Sequence, residues 1–415
     1  MIVQTEIIEK RKSETFLVYA FVFWGMMSFF YHFQYLSGGG LGPFLNSIHF
    51  SLFGSIFLIL LLLLKGKTTR ITTGVNKNIA SVFGLCAFIY VLSGIQGVTF
   101  WGFLGDILTM LLILLFILLR DDLKLRIFDA FINAMAILMF LSMIEYVIYL
   151  VTGMKYVVFD NLLYLEERPL TQTLFNLVWP DSPYNMIVPR YYRFQSLADE
   201  PGGVGTTMGL MLFATSGNPE YKRHYIIFWL AGIISFSLAF YVLALSNLIV
   251  LARENRDFRF LFVFILIAGV AYYFLGDAFN ELIVNRISGN EVSDIDNRTS
   301  EVLDKKLIAA MRDGSILIGH EFVAESGGKG VLYNRGLIGM LALIVAYSSS
   351  YMAKVRSLKL RNVSFAVFFL IVFWISFYQR AAILMFQYVI PFFCLPIMLK
   401  YKENLLIEAR WNQKK

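Results

Sequence analysis

The sequence predicts an all-α integral membrane protein of about 12 transmembrane helices with two large extracytoplasmic loops. Three observations carry that prediction. The 415-residue chain is 58% hydrophobic and only 16% charged, with a mean hydropathy of +0.66, whereas soluble domains carry roughly 25% charged residues. The apolar residues come in blocks of about 15–27, bracketing the length that crosses a bilayer at a rise of about 1.5 Å per residue. Basic residues punctuate the blocks, and the bias of lysine and arginine toward the cytoplasm explains the net charge of +7 without invoking nucleic acid.

In chain order, Phe16–Leu36 is the first span and precedes a glycine loop. Phe44–Leu64, Asn78–Val98 and Phe100–Leu119 follow, then Ile127–Val151 after the charged corner R-D-D-L-K-L-R. A long loop, Thr152–Pro201, leads to a short span at Gly202–Ser216. The apolar stretch between Tyr221 and Arg259 has basic flanks on both sides, so it goes out and back as two short helices bent near Ser235–Ser237. Phe260–Leu275 leads to the second long loop, Gly276–Gly330. Val331–Met352, Val363–Phe377 and Ala381–Leu399 complete the set. With both termini in the cytoplasm, two thirds of the 36 lysines and arginines fall on the inside. The whole chain, 1–415, reads as one polytopic domain. No cleavable signal follows Lys10–Lys12, so the first span is expected to be retained. Cys86 and Cys394 both fall in apolar blocks and read as core residues.

Both long loops then lie outside, and their arginines have no topological explanation. The first offers Arg190 and Arg193, ahead of a helix expected to begin near Pro201; the second offers Arg286 and Arg298. Arginine binds diphosphate bidentately, and a helix N-terminus favours anions. The plain alternative is pairing with neighbouring acids on a wet surface. Glu200 is placed to cap the helix at Pro201. Arg335 lies just inside the span Val331–Met352, where it must pair or snorkel. His320, Glu321 and Glu325 precede that span and are candidates for a general base; solvated loop residues are the competing reading. Asp106, Asp129 and Glu145 lie near span ends, where local pairing or snorkelling suffices. His49 reads as packed and His224 as solvated. No nucleotide-binding motif and no divalent-metal carboxylate cluster is present, so no cofactor is expected.

Three stretches resemble the O-antigen polymerase and ligase superfamily of bacterial surface polysaccharide assembly: R-F-Q-S-L-A-D-E-P-G-G-V-G at Arg193–Gly205, D-N-R-T-S-E-V-L-D-K-K at Asp296–Lys306, and E-S-G-G-K-G-V-L-Y-N-R-G-L-I-G at Glu325–Gly339. Ligases of the superfamily place a His-Asn pair where this chain has Glu325, so the polymerase branch is the nearer one. The resemblance implies a GT-C-type membrane fold in the bacterial inner membrane. It implies a metal-independent, inverting transfer of a growing O-antigen or capsule glycan from undecaprenyl diphosphate to a new lipid-linked repeat unit. Arg190, Arg193, Arg298 and Arg335 would hold the diphosphate, and Glu325, or His320 as second choice, would take the proton. The partners implied are the undecaprenyl-diphosphate-linked oligosaccharide and the lipid bilayer, with a chain-length regulator as an optional partner and no nucleic acid. A ligase acting on lipid A–core and a lipid-linked oligosaccharide flippase are the alternatives.

Overall fold

The computed structural model of the chain describes residues 2–27, 42–63, 77–95, 100–152, short segments between 164 and 198, 200–255, isolated positions between 258 and 276, 301–321, 323, 327–379 and 384–412. The chain divides into two compact units. Among the described residues the architecture is helical, and Phe100–Leu118, Asp121–Thr152, Gly328–Val355 and Leu360–Phe377 are each long and apolar enough to cross a membrane. Ser51–Leu63, Asn78–Ser93 and Leu238–Arg253 are shorter apolar helices. These features mark a helical membrane protein.

The first unit comprises residues 1–28, 36–131 and 297–415. It contains α1 (Ile2–Met27), α2 (Gly42–Leu63), α3 (Lys77–Ser93), α4 (Phe100–Leu118) and the start of α5 (Asp121–Thr152). It continues with α9 (Glu301–Arg312), which lies within the stretch read as the second long loop, and then with α10 (Gly328–Val355), α11 (Leu360–Gln379) and α12 (Phe386–Asn412). The helix ends move relative to the sequence expectation for local reasons. The helix α1 starts well before Phe16, running through the basic Lys10–Lys12. At its far end α3 stops at Ser93, where Gly94 and Ile95 close a tighter turn, their N–H groups donating to the Val91 and Leu92 carbonyls at 3.3 and 3.1 Å. Two aspartates fill the first turn of α5, six residues ahead of the expected start; acids are favoured there by the helix dipole.

Aromatic packing holds α10, α11 and α12 together. The Phe373 and Phe392 rings lie 4.2 Å apart and Tyr351 stacks over Phe369 at 6.2 Å. The Tyr351 hydroxyl donates to the Ala366 carbonyl at 2.9 Å, and Trp374 Nε1 to Ser348 Oγ at 3.0 Å, so the polar tips of these rings are satisfied within the apolar core. The charged corner between α4 and α5 is tied down by Lys354 Nζ on Asp121 at 2.8 Å and by Arg126 on Glu14 at 3.2 Å. Cys394 is buried, and Cys86 is partly so.

The second unit comprises residues 29–35 and 132–296. Here the first long loop folds into three two-stranded antiparallel hairpins: β1 (Tyr164–Leu165) with β2 (Arg168–Pro169), β3 (Thr171–Gln172) with β4 (Leu177–Val178), and β5 (Met186–Val188) with β6 (Tyr191–Tyr192). It also holds α6 (Pro201–Thr215), α7 (Lys222–Ile234) and α8 (Leu238–Asn255). The break between α7 and α8 falls at Ser235–Ser237, as the basic flanks required. Almost all of α6 is buried. Its small residues make that possible: a Cβ on Gly205 would stand 2.2 Å from that of Ser237, and one on Gly209 2.6 Å from that of Leu243. Small residues let membrane helices approach closely, which accounts for the run G-G-V-G-T-T-M-G. The expected span Phe260–Leu275 lies largely outside the described residues.

Candidate functional site at the start of α10

Four consecutive residues of α10 each reach a different partner within the first unit. The Tyr333 ring stacks on His320, with centroids 4.8 Å apart and planes 16° apart, and its carbonyl accepts the His320 N–H at 3.0 Å. Asn334 grips the backbone of Val323 from both sides: Nδ2 donates to the carbonyl at 3.0 Å and Oδ1 accepts the N–H at 2.9 Å. Arg335 pairs with Asp106 of α4. Gly336, at φ 66 and ψ 174, breaks the helical path, and a Cβ there would sit 2.5 Å from the Ile318 carbonyl carbon. That backbone region is open essentially only to glycine. The N-R-G-L-I-G run is thus where a helix bends to receive the preceding loop.

The loop presents His320 in a defined state. Asp313 Oδ1 accepts from both the N–H and the hydroxyl of Ser315, at 2.9 and 2.6 Å. These bonds, more than the nearby His320, hold the Asp313 carboxyl below its usual range. Ser315 Oγ also lies 3.2 Å from His320 Nε2. Its one proton is given to Asp313, so Nε2 carries the hydrogen of that contact. In the neutral ring Nδ1 is then the nitrogen with a lone pair, the requirement for a general base. Cations stand close by: Lys306 lies over the Tyr333 ring at 5.7 Å, and Lys329 Nζ meets Asp304 at 2.7 Å.

Arg335 sits deeper. It is 8% exposed, with its guanidinium 4.7 Å from the Tyr90 ring centroid as well as bonded to Asp106. Nη1 is buried with no hydrogen-bond partner and faces Gly94, where a Cβ would come within 2.0 Å of it. Gly319 and Gly339 approach Ser93 equally closely. The end of α3, the first turns of α4 and the bend of α10 therefore form one packed knot. The ion pair takes the pairing alternative for Arg335, and it gives Asp106 a partner on another helix in place of the local one expected.

In the second unit Arg193 is also buried, at 6% exposure. Its Nε donates to the Ser235 carbonyl at 3.1 Å and Nη2 to the Phe236 carbonyl at 2.7 Å. Phe236 has a positive φ of 46, and its carbonyl and that of Ser235 lie beyond the last turn of α7, where helical partners run out. Arg193 thus holds the α7–α8 tip, a structural task that the sequence reading did not anticipate. Glu200 occupies the N-cap of α6 with extended backbone, and its side chain makes no capping bond. Glu145 pairs locally, accepting from the Phe175 N–H at 2.9 Å and from Asn176 at 2.8 Å. His224 is bonded to Asn133 at 2.8 Å.

Among the expected site residues, His320 and Arg335 meet at the same bend of α10, while Arg193 belongs to the other unit. Arg190, Arg286, Arg298 and Glu325 lie outside the described residues. Among the described residues no three metal-ligating side chains converge. Asp313, Ser315, Tyr333 and Tyr90 were missed; the only sequence signal for Tyr333 and Asn334 was their place one turn ahead of G-L-I-G. No protein-family model matches the chain, and no curated protein or solved structure is significantly similar to it.

Proposed function

We propose that this chain is a membrane glycosyltransferase of the polysaccharide-polymerase type, extending a glycan held on undecaprenyl diphosphate by transferring it to a new lipid-linked repeat unit. The proposal includes 12 spans, a GT-C-type fold and both termini in the cytoplasm of a bacterial inner membrane. The observation that supports it best is the platform at the start of α10. A histidine with a defined donor nitrogen is docked against a bend in a helix long and apolar enough to span a membrane, with Lys306 over the ring of its stacking partner Tyr333 and Lys329 paired to Asp304 on α9. A base at a membrane entry is what an acceptor hydroxyl on a lipid-anchored sugar requires, and fixed cations favour a leaving diphosphate. On sequence grounds Glu325 is the first choice for base and Arg298 for the diphosphate.

The test is complementation of a strain deleted for the gene. Arg298→Ala and Glu325→Ala are each expected to abolish the long-chain ladder while the protein still inserts in the membrane. Normal chain length in both variants overturns the site assignment. A second reading is the ligase, because ligases of the resembling superfamily place a histidine in this loop, and His320 stands five residues before that position. In that case deletion removes all polymer from lipid A–core, and His320→Ala rather than Glu325→Ala reproduces it. Accumulation of lipid-linked units on the cytoplasmic side would point instead to a flippase.

A further inference from the structure

Helix α9 has features that the site does not use. Five of its twelve residues are charged, Glu301, Asp304, Lys305, Lys306 and Arg312, so it cannot cross a bilayer. Leu303, Leu307 and Ala310 are buried and anchor it to the first unit. Yet Val302, Ile308 and Met311 are exposed, with 63, 49 and 58% of their surface open. The turn after α9 repeats the pattern, since Leu317 and Ile318 are both exposed.

The contacts with α10 fix where this apolar surface lies. Lys329 binds Asp304 and Lys306 covers Tyr333, so α9 stands beside the first two turns of a helix long and apolar enough to span a membrane. The Ile318 backbone touches Gly336, one turn further along, and Gly319 touches Ser93 at the end of the apolar α3. Exposed Leu337, Ile338 and Leu341 continue down α10 from that level. The open apolar side chains of the turn thus stand at the level where the exposed apolar residues of α10, a helix long and apolar enough to cross a membrane, begin. Lysines and an arginine accompany them on α9, the arrangement of a helix that lies in the headgroup layer.

We propose that α9 and the Leu317–Ile318 turn form an interfacial foot: the turn dips into the acyl boundary, while Lys305, Lys306 and Arg312 rest on anionic lipid headgroups. This assignment does not rest on glycosyl transfer, and it would hold for a membrane protein of any activity. It would, however, seat His320 at the depth of a lipid headgroup.

The experiment uses the full chain in vesicles of phosphatidylglycerol or of phosphatidylcholine. Cys86 and Cys394 are replaced by alanine, and single cysteines at Ile308, Ile318 and Asp313 carry a fluorophore. Brominated acyl chains are expected to quench labels at 308 and 318 severalfold more than at 313. Quenching at 308 is expected to be stronger in phosphatidylglycerol, and Lys305→Gln, Lys306→Gln and Arg312→Gln together are expected to remove that difference. Equal quenching of all three labels by a water-soluble quencher overturns the foot. So does self-quenching between copies at 308 and 318 without lipid quenching, which assigns the face to a second copy. Headgroup-independent quenching overturns the cationic contact. The unaltered chain gives an independent reading: a photoactivatable phosphatidylglycerol should label the peptide 302–318, and its absence from that peptide likewise overturns the proposal.

Discussion

Arg193 and Arg335 are both more than nine-tenths buried, yet the two units neutralise them differently. In the second unit the guanidinium of Arg193 meets backbone carbonyls at the end of α7, whose dipole favours a cation. In the first, Arg335 meets a full carboxylate and an aromatic face. The first arrangement finishes a turn, and its loss strands dipoles. The second balances a charge, and its loss strands an ion. Burial alone would have ranked the two arginines together; the identity of the partner separates them.

The largest effect should therefore come from breaking the ion pair. Asp106→Ala or Arg335→Leu alone is expected to destabilise the purified chain by about 3–5 kcal/mol, the usual cost of leaving a buried charge unpaired. The double change Asp106→Leu with Arg335→Leu should recover most of it. Thermal unfolding in detergent measures all three, and a double variant as unstable as the singles would show that charge is not the reason.

A more local loss is expected at the other arginine. Arg193→Met removes two charge-assisted hydrogen bonds to orphan carbonyls, each worth about 1.5–3 kcal/mol. Faster hydrogen exchange confined to residues 234–241 is the expected sign. Unchanged exchange there would mean that the α7–α8 tip holds itself.

The smallest effect belongs to the exposed loop that carries His320. The Asp313 carboxyl is held below its ordinary range by Ser315, so its contribution is fully present above the ordinary carboxylate value of 3.8. That contribution fades as pH falls through the depressed value. The protection of the Ser315 amide, taken relative to its intrinsic exchange rate at each pH, should fall only on such acidification, and Asp313→Asn should remove that pH dependence. A Ser315 amide equally protected at every pH would show that the Asp313 carboxylate does not hold the turn.

Several elements were legible in the sequence because their causes are local. The helix start at Pro201, the break at Ser235–Ser237 and the fourth span's start at Phe100 follow from proline, charge punctuation and block length. The hairpins of the first long loop were not legible, since two-residue strands leave too little periodicity to read. Of the candidate site, His320 was named, but its orientation was not. Ser315 and Asp313 act through a turn, and Tyr333 through a helix bend that exists only because Gly336 can take a positive φ.

By itself, then, the sequence determined a helical membrane protein and the position of most of the described helices, because apolar blocks and helix punctuation act over a few turns. Only the tertiary structure decided which charge meets which. The partner of Arg335 is 229 residues away in the chain, and that of Arg193 is a pair of carbonyls exposed by a turn. Within a low-dielectric interior a buried cation must be matched by whatever packing brings beside it, and that neighbour is a property of the assembled helices.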